Sequence, residues 1–304
     1  MKIKSFVILL SIIVSLGIVG AVLFNSAEPA KTQTTQQYSR IISLAPNITE
    51  ILYALSLEEK IIGVTRYCKY PPEAMKKKKI GGYLDPNFEE IVAALPELVI
   101  TFPEQIQPVN HFARLGIKTL TVKHLTIEDI LESIMIIGQS CGVPEKAERL
   151  IGQLKARIKT IEEQTKNLEK QRVLVCVERN TTAGSFDAVY IAGRDGFYSK
   201  MIELAGGVNV YTGRIKFPKV GHEGIIAMNP DVIIDVVSDI ESRHLDAEQL
   251  REQWGNIPET EAVKKKQVYI FSENYIAIPG PRFILTLEEI AKAIHPEMEL
   301  MTIE

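Results

Sequence analysis

The sequence has few cysteines and no surplus of positive charge, and both facts exclude classes of protein. Its 304 residues contain only Cys68, Cys141 and Cys176, with no CxxC pair. Neither a disulfide framework nor a structural zinc site is indicated, and at most one disulfide could form. The formal net charge of -3 provides no basic field for binding nucleic acid. We therefore expect no nucleic-acid partner.

The sequence also lacks the motifs that mark common enzyme classes. It contains no nucleophile elbow, no phosphate-binding glycine loop and no tight acid/base set. Five scattered histidines, His124 and His222 among them, do not form the convergent set that zinc requires. We therefore predict a protein that is not an enzyme and that carries no cofactor or metal of its own.

The N-terminal stretch from Ser5 to Ala27 lacks charge, is mostly Ile, Val and Leu, and follows two lysines. This pattern is typical of an export signal, and its length approaches the roughly 20 residues that span a bilayer. Residues 1–27 are predicted as a signal peptide or an N-terminal membrane anchor, and no lipid anchor is expected because no cysteine closes the run. Residues 28–39 are polar and predict a flexible linker. The remainder is expected in the periplasm or at the extracytoplasmic cell surface.

From Arg40 onward, short β-type runs alternate with amphipathic helical runs, which is the pattern of an α/β protein. Asn47 and Glu50 have the spacing of a capping box and predict the start of the first helix there. The pattern divides into an N-terminal lobe over residues 40–142 and a C-terminal lobe over residues 172–297. Strands are predicted at 61–64, 98–101, 118–122, 172–177, 232–236 and 268–271, and helices at 87–95, 108–115, 126–140, 197–205, 246–254 and 282–293.

Residues 143–171 predict one long helix between the lobes. The segment has no proline after Pro144, no glycine after Gly152, and apolar residues at helical spacing. Its other face is dense in Lys and Glu, as expected for a solvent-exposed connecting helix and not for a helix in a domain core.

A short internal sequence repeat, called the echo below, relates the two lobes. The segment EEIVAALPELVI from Glu89 aligns without a gap on EGIIAMNPDVII from Glu223. In each copy a helix ends before a proline and leads into a buried strand, so the lobes look like versions of one unit. The alternative is that any α/β protein reuses the order helix, proline, strand.

Four blocks of sequence resemble, in order and spacing, the cobalamin and ferric-siderophore class of ABC-importer solute-binding proteins: RIISLAPNITEILYALSLEEKIIGVTRYCKYPPEA, GGYLDPNFEEIVAALPELVIT, FPKVGHEGIIAMNPDVII and PGPR. The resemblance extends from Arg40 to Pro296, and the YCKYPP turn favours the cobalamin-binding branch. It implies two Rossmann-like α/β lobes joined by one long rigid helix, with the ligand in the cleft between them. It also implies a monomer that binds cobalamin or a related corrinoid and delivers it to an ABC permease dimer in the membrane.

The resemblance implies aromatic cleft walls, because a corrinoid has apolar faces and a rim of amides. The class typically has tryptophan at several of these positions, whereas this chain has only Trp254, which lies elsewhere. A ferric siderophore or haem therefore stays open as the cargo, and Arg194 and Arg282 would suit an anionic chelate. Ordinary packing is the alternative for each aromatic residue. The candidates, by their position in the matched motifs, are Tyr67 in TRYCKYPP, Tyr83 in GGYLDP, Phe102 in VITFPE, Tyr190 in VYIAGR, Phe217 in IKFPKV and Tyr275 in SENYIA.

Glu89 and Glu223 start equivalent helices, and the resemblance implies that they engage arginines of the permease dimer. Acidic residues in a first helical turn are also favoured by the helix dipole, which is the alternative. A surface receptor without a transporter would have no need of them. For Cys68 the choice is between a metal contact and a small buried residue. The lysines at 76–79 predict a solvated surface or a contact with anionic lipid.

Overall fold

The computed structural model describes residues 38–298, except 183, 185, 195, 239, 241 and 242. The predicted signal or anchor at 1–27 lies outside the described residues, as does nearly all of the predicted linker. Among the helices that are described, none is both long and apolar enough to cross a membrane.

The first sheet consists of four parallel strands in the order β2-β1-β3-β4. Strands β1 and β3 are buried along their whole length, since helices cover both faces of a parallel sheet. The strands are β1 (Ile41–Ser43), β2 (Ile61–Val64), β3 (Leu98–Thr101) and β4 (Thr119–Thr121). The helices are α1 (Pro46–Ala54), α2 (Phe88–Ala93), α3 (Ile106–Arg114) and α4 (Ile127–Ser140).

A single helix of 22 residues, α5 (Pro144–Thr165), follows this unit. It begins with a proline in its first turn, where the missing N–H removes no helical hydrogen bond. Ala147, Leu154 and Ile161 recur every seven residues and are its buried stripe. The helix ends six residues before the predicted Gln171, and it packs against α4 on one side and against helices of the following unit on the other.

The second sheet has the order β10-β9-β5-β6-β8, with β7 also beside β5. Strands β7, β5, β9 and β10 are parallel, whereas β6 runs antiparallel to both β5 and β8. The strands are β5 (Arg172–Glu178), β6 (Val189–Ile191), β7 (Val208–Asn209), β8 (Lys219–Val220), β9 (Val232–Val236) and β10 (Val268–Phe271). The helices are α6 (Phe197–Leu204), α7 (His222–Met228), α8 (Ala247–Gln253), α9 (Glu261–Lys264) and α10 (Phe283–Ile294).

The echo in the sequence corresponds to a repeated structural unit. Strand order β2-β1-β3-β4 in the first sheet matches β7-β5-β9-β10 in the second. Helices α2 and α7 are followed by a left-handed residue, Leu95 with φ 48° and Asn229 with φ 40°. A proline and a buried parallel strand come next in both copies. The agreement of backbone conformation with sequence register identifies the two lobes as versions of one α/β unit.

The predicted capping box at the first helix is wrong. Helix α1 begins at Pro46, its N-cap is Ala45, and no side chain caps it. The preset φ of proline stabilises the first turn instead. The side chains of Asn47 and Glu50 reach the C-terminal lobe, where they contact the Pro279 carbonyl and the Arg282 guanidinium.

Leu95→Asn should stabilise the protein, because leucine, like most residues with a β-carbon, adopts the left-handed region at a cost of about 1 kcal/mol that asparagine largely avoids. Leu95 is 73% exposed, so little packing is lost. We expect the free energy of unfolding in urea to rise by roughly 0.5–1 kcal/mol. The reciprocal control, Asn229→Leu, should destabilise, since it adds strain and removes the bond from Glu261 N to Asn229 Oδ1 at 2.9 Å. Equal stability of Leu95→Asn and the parent protein would contradict this account of the repeated turn.

Candidate functional site

A cavity of about 350 Å³ lies between the two lobes. Its walls follow strand ends, such as Ala45 after β1, Phe102 after β3 and His124 after β4, because parallel strands of one sheet all point their carboxyl ends to one edge. The N-terminal lobe contributes Ala45, Pro46, Asn47, Tyr83, Phe102, His124 and Leu125. The C-terminal lobe contributes Phe197, Tyr198, Lys216, Phe217, Ala277, Ile278 and Pro279.

Two of the predicted aromatic residues face the cavity from equivalent loops. Tyr83 lies six residues before Glu89, and Phe217 lies six residues before Glu223, so the sequence echo aligns them. Both line the cavity, Tyr83 partly buried and Phe217 47% exposed. The repeated unit therefore supplies one aromatic ring from each lobe.

A third predicted residue, Phe102, also lines the cavity but belongs mainly to the core. Its side chain is 2% exposed. Its ring centroid lies 4.0 Å from that of His124 and 6.1 Å from that of Tyr83. Phe102 thus supports the rings that border the cavity and offers little surface of its own.

One wall carries a small polar cluster of Tyr83, Glu104 and His124. The Tyr83 hydroxyl donates to the Glu104 carboxylate, and His124 Nε2 lies 3.4 Å from Glu104 Oε1. Burial, together with the bond to Glu104, raises the pKa of the Tyr83 phenol. Burial lowers the pKa of His124, Lys216 lowers it further, and Glu104 opposes both effects. The imidazole is therefore neutral at neutral pH.

The other three predicted aromatic residues do not line the cavity. Tyr67 is 50% exposed beside Arg66, whose guanidinium lies 5.2 Å from its ring. Tyr190 lies on β6 and is paired with Lys219 of β8. Tyr275 donates its hydroxyl to Glu289 on α10. Tyr67 and Tyr275 follow strands β2 and β10 in sequence and Tyr190 lies on β6, but none of the three is among the residues that line the cavity.

The predicted arginines are not available to an anionic chelate in the cavity. Arg282 Nε and Nη2 donate to the two carboxylate oxygens of Glu50 at 3.0 and 2.6 Å. Arg194 is exposed and is not among the lining residues. Of the lining side chains in the described part of the chain, Lys216 alone is a full cation.

Cys68 is a small buried residue. It is 1% exposed, and its Sγ lies 3.1 Å from Thr49 Oγ1 and 3.2 Å from Thr65 Oγ1. Burial raises the pKa of the thiol, which disfavours the thiolate that metals bind. Cys141 and Cys176 are also buried and free. Residues 38–298, where described, contain no group of three or more His, Cys, Asp or Glu side chains that could hold a metal ion.

The lysines at 76–79 are largely engaged within the lobe. Lys77 Nζ donates to the Glu58 carbonyl at 2.8 Å, and Lys79 Nζ donates to the Ala74 carbonyl at 3.0 Å. Lys78 forms an ion pair with Glu90. The structure therefore favours the solvated surface that the sequence predicted.

Glu89 and Glu223 occupy the same place in the repeated unit. Each is the second residue of its helix, α2 or α7, and each is exposed. Asn87 caps α2 by accepting from the Glu90 backbone N–H at 3.1 Å, so Glu89 is not needed as a side-chain cap there.

Several lining residues were missed by the sequence analysis, namely Asn47, Phe197, Tyr198, Lys216 and Pro279. Phe197 and Tyr198 begin helix α6, Asn47 is the second residue of α1, and Lys216 and Pro279 lie in loops. Their place at the carboxyl edge of a parallel sheet was the available signal.

Comparison with known proteins agrees with this architecture. A family model described as periplasmic binding protein matches residues 41–275. The chain is 29% identical over 264 residues to an uncharacterized ABC transporter substrate-binding lipoprotein, YvrC, of Bacillus subtilis, covering 85% of this chain and 80% of that protein. It is 26% identical over 258 residues to a vitamin B12-binding protein of Salmonella typhi, covering 84% of this chain and 90% of that protein. Its fold matches the apo periplasmic heme-binding protein RhuT from Roseiflexus sp. RS-1 with a TM-score of 0.71 and 27% identity, covering 85% of this chain and 98% of that one.

The chain belongs to the periplasmic binding protein family. It is an extracytoplasmic substrate-binding protein of the kind that serves ABC transporters, and it is not an enzyme. The two-lobe α/β fold and the family that the sequence predicted are both confirmed.

Two phenylalanines of the cavity should separate binding from folding. Phe102→Ala should lower the free energy of unfolding by about 3–5 kcal/mol, because a fully packed ring leaves a void. Phe217→Ala should change it by less than about 0.5 kcal/mol, since a half-exposed ring makes few core contacts. Thermal and urea denaturation without ligand measure both values. A large loss of stability in Phe217→Ala would make that ring part of the core and not a wall.

Proposed function

We propose that this protein binds cobalamin or a related corrinoid in the cavity between its lobes and delivers it to an ABC permease. The observation that carries the proposal is the cavity lining, in which Tyr83 and Phe217 face one space from equivalent loops. A broad ligand with apolar faces and a polar rim matches aromatic walls with few hydrogen-bonding groups.

The polar groups of the lining are few and mostly uncharged. His124 offers a neutral imidazole, which suits the amide rim of a corrinoid, whereas Asn47 is 4% exposed and its amide N–H already donates to the Pro279 carbonyl. An anionic siderophore would instead favour free arginines, but Arg282 is already neutralised by Glu50. The vitamin B12-binding relative in Salmonella typhi supports the same cargo class.

Haem is the second candidate, and a specific observation favours it. Lys216 lies at the cavity and could pair with a carboxylate of the ligand, while the fold matches a heme-binding protein from Roseiflexus. The corrin side chains of cobalamin are amides and not carboxylates, so the charge of the cargo separates cobalamin from haem.

Titration of the protein from residue 38 onward with cyanocobalamin, hemin and a ferric hydroxamate tests the cargo. We expect heat and a single binding site per chain with the corrinoid, because one cavity lies between the lobes. Phe217→Ala should weaken this affinity by about tenfold or more, as loss of a buried aromatic contact does. Saturable binding of hemin or the ferric chelate without binding of the corrinoid would reject the proposed cargo in favour of that alternative.

Delivery depends on Glu89 and Glu223. An exposed carboxylate can form a bidentate, charge-assisted hydrogen bond with a permease arginine. Equivalent glutamates on the repeated units suit a permease dimer, whose two-fold symmetry presents the same surface to each lobe.

Glu89→Arg combined with Glu223→Arg should abolish uptake in reconstituted vesicles and leave affinity for cargo in solution nearly unchanged, because reversal replaces attraction by repulsion. Each single reversal should lose part of the transport. A matched control is Glu145→Arg with Glu148→Arg, in which Glu145 is likewise an exposed second residue of a helix. Normal uptake by the first double variant, or equal loss in the control, would reject the docking role.

A further inference from the structure

A buried ion pair joins the two lobes. Glu50 on α1 is 3% exposed in its side chain, and Arg282, the N-cap residue of α10, is 13% exposed. Two hydrogen bonds, from Nε to Oε2 at 3.0 Å and from Nη2 to Oε1 at 2.6 Å, align the guanidinium with the carboxylate. This bidentate geometry fixes both distance and orientation between the partners.

The guanidinium is also held by groups from both lobes. Its carbon lies 3.7 Å from the ring centroid of Tyr70 in the N-terminal lobe and 5.4 Å from that of Tyr275 in the C-terminal lobe. Arg282 Nη1 donates to Asn274 Oδ1 at 2.6 Å. A planar, stacked and forked cation of this kind cannot be replaced by lysine without losing contacts.

The pair lies directly beside the cavity. One turn before Glu50, the Asn47 amide donates to the Pro279 carbonyl at 3.1 Å, and both Asn47 and Pro279 line the cavity. Between them, a β-carbon on Gly280 would lie 3.1 Å from Asn47 Cβ and 3.2 Å from Glu50 Oε2. Because Gly280 has no side chain, the two lobes can approach each other closely at this point.

We infer that Glu50 and Arg282 are positioning residues that fix the separation of the two lobes beside the cavity and thereby set how long the cargo is retained. Neither residue is among the lining side chains, so the effect acts through lobe geometry. Only the retention part rests on the proposed function, because the lobe separation exists without cargo.

Each partner depends on the other. Burial raises the pKa of the Glu50 carboxyl, and the hydrogen bond and charge of Arg282 counteract that shift. Removing one partner leaves the other charge buried and uncompensated, and water then enters the contact. The segment from Pro279 to Arg282 would lose its fixed distance from α1.

A second arginine–glutamate pair, with both hydrogen bonds to one carboxylate oxygen, provides the control. Arg157 Nε and Nη2 donate to Glu288 Oε1 at 3.0 and 2.6 Å, and they join α5 to the same helix α10. These side chains are 31% and 22% exposed and do not cross from α1 to α10. Their loss should therefore affect stability without freeing the lobe separation.

Spin labels on Ala113→Cys in α3 and Ala227→Cys in α7 report the lobe separation without cargo, since both positions are exposed and the three native cysteines are buried. We expect one narrow distance distribution in the parent protein. It should broaden or shift in Glu50→Gln and in Arg282→Lys, and stay unchanged in Arg157→Lys. The charge exchange Glu50→Arg with Arg282→Glu should recover part of the narrow distribution. Unchanged distances in both single variants, with circular dichroism equal to the parent, would overturn the inference.

A second experiment tests how long the cargo is retained. It uses cyanocobalamin as the probe and measures its dissociation from the protein by displacement. The dissociation rate constant should rise about tenfold or more in Arg282→Lys, with a much smaller change in the association rate constant, because lysine keeps the charge but loses the forked hydrogen bonds and the stacking on Tyr70. Changed distances with an unchanged dissociation rate would overturn the link to retention. A parent protein that binds no cyanocobalamin would reject the proposed cargo, while the distance measurement would still test the positioning role.

Discussion

The carboxyl ends of parallel strands all lie at one edge of their sheet, and this constraint determines where the cavity between the lobes forms. Because each β-strand of the repeated unit returns through a helix, the loops after β1, β3, β4 and β10 all open toward one side. Two such units leave between them a space walled by these loops and by the first residues of helices α1 and α6. The aromatic rings of Tyr83 and Phe217 enter this space from corresponding points, and a ligand held there contacts both lobes.

Burial beside the cavity limits which polar groups can be tolerated there. The Glu50 and Arg282 charges lie beside the cavity, where each is acceptable only because it is paired. Their two hydrogen bonds and the Tyr70 ring offset part of the cost of desolvating them. The lining itself can then remain largely apolar, with Lys216 as its only cation among the described residues. Glu50 and Arg282 thus hold the lobes together, while different, neighbouring residues form the binding surface.

Much of the fold followed from local sequence. The predicted strands 61–64, 98–101, 232–236 and 268–271 match the observed bounds, because β-branched runs bordered by turn residues form buried parallel strands. The short strands β6 and β8 were missed, since two or three residues carry no measurable periodicity. The capping box failed because Pro46 starts α1 and frees Asn47 for a partner 232 residues away. Tyr67, Tyr190 and Tyr275 show that motif position does not determine side-chain direction.

Hydrogen–deuterium exchange with and without cyanocobalamin tests the central claim, that one ligand is held by corresponding loops of both lobes. Slower exchange is predicted at the backbone around Tyr83 and His124 in the N-terminal lobe and around Tyr198 and Phe217 in the C-terminal lobe, with the exposed starts of α2 and α7 at Glu89 and Glu223 unchanged. Protection confined to one lobe, or located away from these loops, would contradict a cargo site between the lobes.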